Sequence, residues 1–257
     1  MERTKLQKIA FFSLTAAALT ASQAFAHDGI KSQLLEGTTI DNAITIGHGC
    51  EQVNGTIKPV IAQSVVFPGD SPILTATNPD GSTATAPISL SDVIEQGGIA
   101  GQVDSIQSND IFTVQKEKVD INGSVTGFYG KSGSLSIESQ GRVPFSSGAF
   151  NFIQGSCVKK LNIVVAIADI CVVTKPTIQA GKVNLWIPDN GSIYAIKGKT
   201  AGVEGIGFET PTLQVNRDLV ANGFDPASNC GDGIDVTVTP SDADINANLG
   251  IPGYWSK

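Results

Sequence analysis

The amino-acid sequence predicts an all-β protein, a mostly antiparallel β-sandwich with long loops and one short helix. Three observations predict it. Turn formers are plentiful, with 28 glycines and 12 prolines, while aromatic residues make up only 6% of the chain. Short β-branched runs recur between clusters of Gly, Pro, Asn, Asp and Ser, the punctuation of a sandwich. Several runs also alternate strictly. Ile234, Val236 and Val238 face one way and Asp235, Thr237 and Thr239 the other, as period-two side chains of a half-buried strand must.

Taken in order, the expected strands cover residues 43–46, 59–67, 111–121, 124–129 and 133–138, then 161–173, 182–187, 192–196 and 234–239. Within 182–187, Val183, Leu185 and Ile187 share a face, with Asn184 and Trp186 opposite. The uninterrupted apolar run 163–167 reads as a central strand covered on both faces. One helix is expected, over residues 89–95. Ser89 and Asp92 resemble a capping box, and Gly97-Gly98 stops it. Residues 75–87 (TATNPDGSTATAP) read as a surface loop. With no repeat, linker or composition break, residues 27–257 are expected to form a single domain.

The first 26 residues read as a secretory signal. Arg3, Lys5 and Lys8 supply a positive start, a short apolar stretch follows, and Ala24-x-Ala26 is a small-residue cleavage site. The mature chain then has no candidate membrane span, because the run 161–173 is short and is interrupted by Asn162 and Asp169. Removing the signal leaves 14 basic against 23 acidic side chains, a net charge of −9. That balance argues against nucleic acid as a partner. Four cysteines, Cys50, Cys157, Cys171 and Cys230, read as two disulfides in an exported chain. Three pairings are open. One links Cys157 to Cys171 across neighbouring strands and leaves Cys50 with Cys230. Cys50 as a copper thiolate beside His48 is the competing reading.

The chain has two histidines, both near its start. Cleavage after Ala26 would make His27 the first residue, with a free α-amine beside its imidazole. His48 lies 21 residues on, in Gly47-His48-Gly49-Cys50. An amine and two imidazoles form three nitrogen ligands, which suit one Cu(II) ion in a tetragonal arrangement. Because the amine must lose its proton to bind, affinity would depend on pH. Glycines on both sides of His48 would let its backbone pass close to the terminus. The bland alternative is an incidental His27 on a frayed end, with His48 an ordinary turn residue.

The segment Ile46-Gly47-His48-Gly49-Cys50-Glu51, followed by PVIAQSVVFP over residues 59–68, resembles the start of YcnI-like domains. These are exported β-sandwiches whose mature N-terminal histidine binds copper. The resemblance covers about the first forty mature residues. It implies a tryptophan near the metal, for which Trp186 and Trp255 are the candidates. It also implies a partner among other copper-handling proteins. A looser resemblance, to copper-binding surface proteins of methanotrophic bacteria, points to the same ligand.

Other chemistry is less well supplied. Asp242, Asp244 and Asn246 alternate like the start of a calcium loop, but Ala247 and Gly253 stand where an EF-hand needs Gly and Glu. Calcium is therefore a weaker expectation than copper. No G-x-S-x-G motif and no dinucleotide fingerprint occurs. The reading is a non-enzymatic copper-binding protein for capture, storage or delivery, resting in the periplasm or on the cell surface. Its rivals are a structural or adhesive surface protein, stiffened by calcium or not, and an oxidative copper enzyme of the lytic polysaccharide monooxygenase kind.

Overall fold

A computed structural model describes residues 27–173, 175–208, 210–218, 221–222 and 230–257. The leader expected over residues 1–26 lies outside the described residues. The first strands are β1 (Gly29–Ile30), β2 (Leu34–Leu35), β3 (Ile40–Ile46), β4 (Cys50–Glu51), β5 (Ile57–Lys58) and β6 (Ala62–Val66). Next come β7 (Ile73–Thr77), β8 (Thr83–Ala84), β9 (Val103–Ser105), β10 (Phe112–Val119), β11 (Val125–Gly133) and β12 (Gly141–Ser147). The last are β13 (Val158–Val164), β14 (Ala166–Ile170), β15 (Val183–Trp186), β16 (Thr212–Asn216) and β17 (Ile234–Thr239), with helices α1 (Ile193–Thr200) and α2 (Asp242–Asn248). The all-β, mostly antiparallel expectation holds. Among the described strands only the β13–β17 and β2–β16 pairings run parallel.

Three sheets build the body. They are β10-β11-β6-β14-β15, β2-β16-β13-β17-β7-β8 and β1-β3-β12-β9, with β4-β5 a small ribbon apart. The five-stranded sheet is central. One face meets the other two sheets in a shared core, where Val65, Phe128, Ile167 and Trp186 pack with Ile44, Phe145, Ile163 and Val238. Its other face packs Val66, Ala168 and Leu185 against Tyr194 of α1 and Ile245 of α2. A strand buried on both faces has no polar side to spare, which is why β6 and β14 are buried at every residue. Among the described residues no helix is long and apolar enough to cross a membrane.

Six local expectations are corrected. The run 161–173 is not one strand. It breaks at Val165, so that β13 lies in the six-stranded sheet and β14 in the five-stranded one. Apolarity alone cannot register a change of sheet. The same break overturns the Cys157–Cys171 pairing, because those cysteines flank strands of different sheets. The disulfides are Cys50–Cys171 and Cys157–Cys230.

Residues 192–196 are not a strand. Ser192 caps α1, its hydroxyl accepting the Ala195 N–H at 3.2 Å. Residues 242–248 are helix α2 rather than a loop, opened by a capping box between Ser241 and Asp244. At Ser89 and Asp92 the expected box is present, but it opens only a three-residue 3-10 turn, Leu90–Asp92. Finally, residues 133–138 lie mostly past the end of β11, and the strand that follows is β12.

Candidate functional site

Strand register puts a polar row beside an apolar one on the core-facing side of the central sheet. Phe128 pairs with Val65, Val65 with Ile167, and Ile167 with Trp186. Two residues further along, on the same face, Gly130 pairs with Gln63, Gln63 with Asp169, and Asp169 with Asn184. Gln63, Asp169 and Asn184 are each at most 2% exposed. Polar side chains so deep cost free energy unless hydrogen-bonded. Gln63 and Asp169 are bonded to one another and to a residue from far away in the sequence.

That residue is Asp28, itself buried. The Gln63 amide bridges the two carboxylates, with Nε2 donating to Asp28 Oδ2 and to Asp169 Oδ1, both at 2.9 Å. Trp186 Nε1 donates to Asp169 Oδ2 at 2.9 Å, and the Gly47 backbone N–H donates to Asp28. Burial, and then the neighbouring Asp169 charge, hold the Asp28 carboxyl well above the ordinary carboxylate range. Burial pushes Asp169 up to about 6, against hydrogen bonds from Gln63, Trp186 and Asp28 and the nearby charge of His48. The pair therefore shares a proton carried on Asp28, since two adjacent buried carboxylates resist ionising together. Two further buried polar atoms at this corner, Gln63 Oε1 and Asn184 Nδ2, have no hydrogen-bond partner among the described residues.

Both histidines reach this corner. Through the Asp28 bond to Gly47 and the β1–β3 pairing, the N-terminal segment is laid against the chain just before His48. The His27 ring meets Trp186 edge-on, centroids 4.9 Å apart, and Phe208 lies 5.5 Å away on a second side. His48 is close enough to Asp169 to act on its carboxyl. Its Nδ1 contacts the Gly49 carbonyl. With the proton on Nδ1 in that bond, the Nε2 lone pair is the one available to a ligand.

At Gly49 the close approach is not to the N-terminus, as expected, but to another strand. A Cβ at Gly49 would lie 1.8 Å from the Lys58 carbonyl oxygen, so the close approach is to β5. The disulfide ties the His48 segment to the Asp169 strand, because Cys50 follows His48 by two residues and Cys171 follows Asp169 by two. Both cysteines are consumed in bridges, which removes Cys50 as a thiolate ligand while oxidised.

Of the sequence-derived aromatic candidates, Trp186 is at the corner and Trp255 is not. Trp255 packs on Tyr194 at 5.3 Å and donates to the Thr177 carbonyl. The calcium candidates are used within the fold. Asp244 accepts the Ser241 N–H, and Asn246 accepts the Ile193 N–H, in both cases through a side-chain oxygen. Asp242 begins the same helix. Asp28, Gln63, Asp169 and Phe208 were not sequence candidates. Asp169 did carry a signal, as the one charge inside the most apolar run of the chain.

Among the described residues no three His, Cys, Asp or Glu side chains are grouped so as to hold a metal ion. Among the described residues the His27 α-amine, once freed, is a nitrogen donor that side chains do not supply. The donor chemistry otherwise suits a divalent cation, with imidazole nitrogens beside buried carboxylates. No family model matches the chain, and no curated protein matches it either.

Proposed function

We propose that the chain is an exported copper-binding protein that takes one copper ion as cargo, for capture, storage or delivery. The ligands are the α-amine and imidazole of His27, once cleavage after Ala26 frees the amine, and the imidazole of His48. One observation carries the reading. The two histidines of the chain, 21 positions apart, both border one buried acidic corner, His27 packing on the Trp186 that donates to Asp169 and His48 acting on the Asp169 carboxyl. The Asp28–Asp169 pair adds negative charge next to the ligands, which favours a cation. Trp186 and Phe208 flank the His27 ring, limiting its rotation and shielding the ion from water. The two disulfides fit an oxidising compartment.

The test is intact mass with metal analysis on protein recovered from its own export route. The expected result is a chain beginning at His27 with one equivalent of copper. Binding should fall at least a hundredfold when one alanine precedes His27 and again in His48→Ala, since each removes a nitrogen ligand. A terminus elsewhere, or affinity indifferent to both changes, overturns the reading.

A further inference from the structure

One cavity shares no lining residue with the histidine corner. It is an open groove of about 710 Å³ between α1 and the C-terminal segment, a size typical of sites for small organic ligands. Its floor is apolar, made by Ile178, Ile196 and Ala201, with Ile196 more than half exposed. Its rim is basic. Three of the ten lining residues are lysines, Lys175, Lys197 and Lys257, and none is acidic. The whole 257-residue chain has only 17 Lys and Arg and a net charge of −7, so this groove departs sharply from the rest of the surface.

The lysines come from separate parts of the chain, so no single helix end accounts for them. Lys197 lies in the last turn of α1, where a cation complements the helix carbonyls. Its neighbour Lys199 is paired with Asp189. Lys257 donates to the Asn246 carbonyl at 3.1 Å. Among the described residues no hydrogen bond or ion pair occupies the Lys175 or Lys197 ammonium. A second cavity of about 450 Å³ adjoins through Lys175, Thr177 and Ser256, and is walled by Ile251, Tyr254 and Trp255. Two unengaged ammonium groups above a long apolar floor match one ligand chemistry, an anionic head on an apolar tail.

We propose that this groove binds a small amphipathic carboxylate, its head between Lys175 and Lys197 and its tail along Ile178 and Ile196. This site is independent of the copper reading and stands or falls separately.

Calorimetric titration of the mature protein with octanoate, octanamide and acetate tests it. Octanoate is expected to bind once per chain, with a submillimolar Kd. Octanamide, lacking the charge, and acetate, lacking the tail, should each bind at least tenfold more weakly. The exposed-site variant K175E/K197E should weaken octanoate by about tenfold or more, as removal of two ion pairs would, with its thermal unfolding unchanged. Absence of saturable octanoate binding overturns the proposal. So does equal binding of octanamide, affinity unchanged in K175E/K197E, or binding only to anionic lipid vesicles and not to free octanoate.

Discussion

The buried carboxylate pair is expected to favour the metal-free fold in mild acid over neutral pH, the reverse of a salt-bridged carboxylate. Asp169 titrates near 6 when folded, against 3.8 for an ordinary aspartate. Between those values the folded state holds a proton that the unfolded chain has lost. By linkage, the stabilisation is fully present below about pH 3.8 and is lost as pH rises through 6. A shift of about two units corresponds to about 3 kcal/mol, and Asp28 adds to it in the same direction. Urea unfolding of the chelator-treated protein between pH 4 and 7.5, followed by tryptophan fluorescence, measures the slope.

Asp169→Asn is the control. Its amide keeps one acceptor for Gln63 or Trp186 and gives up the other, which costs about 1–3 kcal/mol in mild acid, a cost that shrinks towards neutral pH as the wild-type carboxyl ionises. It does not titrate, so the slope assigned to Asp169 should disappear even though the absolute stability falls. Equal slopes in the two proteins would refute the assignment, whatever the absolute values.

The remaining expectations concern the scaffold. The two disulfides close sequence separations of 121 and 73 residues, and by chain entropy each stabilises by about 4–5 kcal/mol at most. Removing Cys157–Cys230 with paired serines should lower the unfolding midpoint while leaving metal affinity within about threefold. Removing Cys50–Cys171 should lower both, and equal effects on affinity would show that the bridge does not position the site. Gly49→Ala drives a Cβ into the Lys58 carbonyl and should cost about 3 kcal/mol in denaturant unfolding. Trp186→Phe deletes the N–H donated to Asp169 and should cost about 1–3 kcal/mol. It should also move the acid transition upward in pH, since the lost bond favoured the charged carboxylate.

How far the fold could be read from sequence depended on whether a segment was buried on one face or on two. β17 was legible to the residue because Ile234–Thr239 has one dry side and one wet side, and alternation records that difference directly. β13 and β14 fused into one expected strand because β14 is covered on both sides and its pattern carries no phase. The helices were lost for a related reason. α1 and α2 are short, and in sequence residues 192–196 read as a strand while Asp242, Asp244 and Asn246 read as alternating oxygen ligands.

The same rule governs the site. His27 and His48 stand out in sequence because the chain has no other histidine, and their rarity needs no fold to be noticed. Asp28, Gln63 and Asp169 are ordinary residue types, and their meaning comes from strand register. Gln63 faces Asp169 only because β6 pairs with β14 in one alignment, and a slip of one residue would turn Asp169 towards the helices. The apolar row Phe128–Val65–Ile167–Trp186 enforces that alignment by burying four large side chains on one face. Core packing thus positions the acid pair, and the Cys50–Cys171 bridge fixes His48 to the same register. If so, substitutions in that apolar row that keep volume should leave the acid transition near pH 6, while Ile167→Ala should blur it before it unfolds the protein.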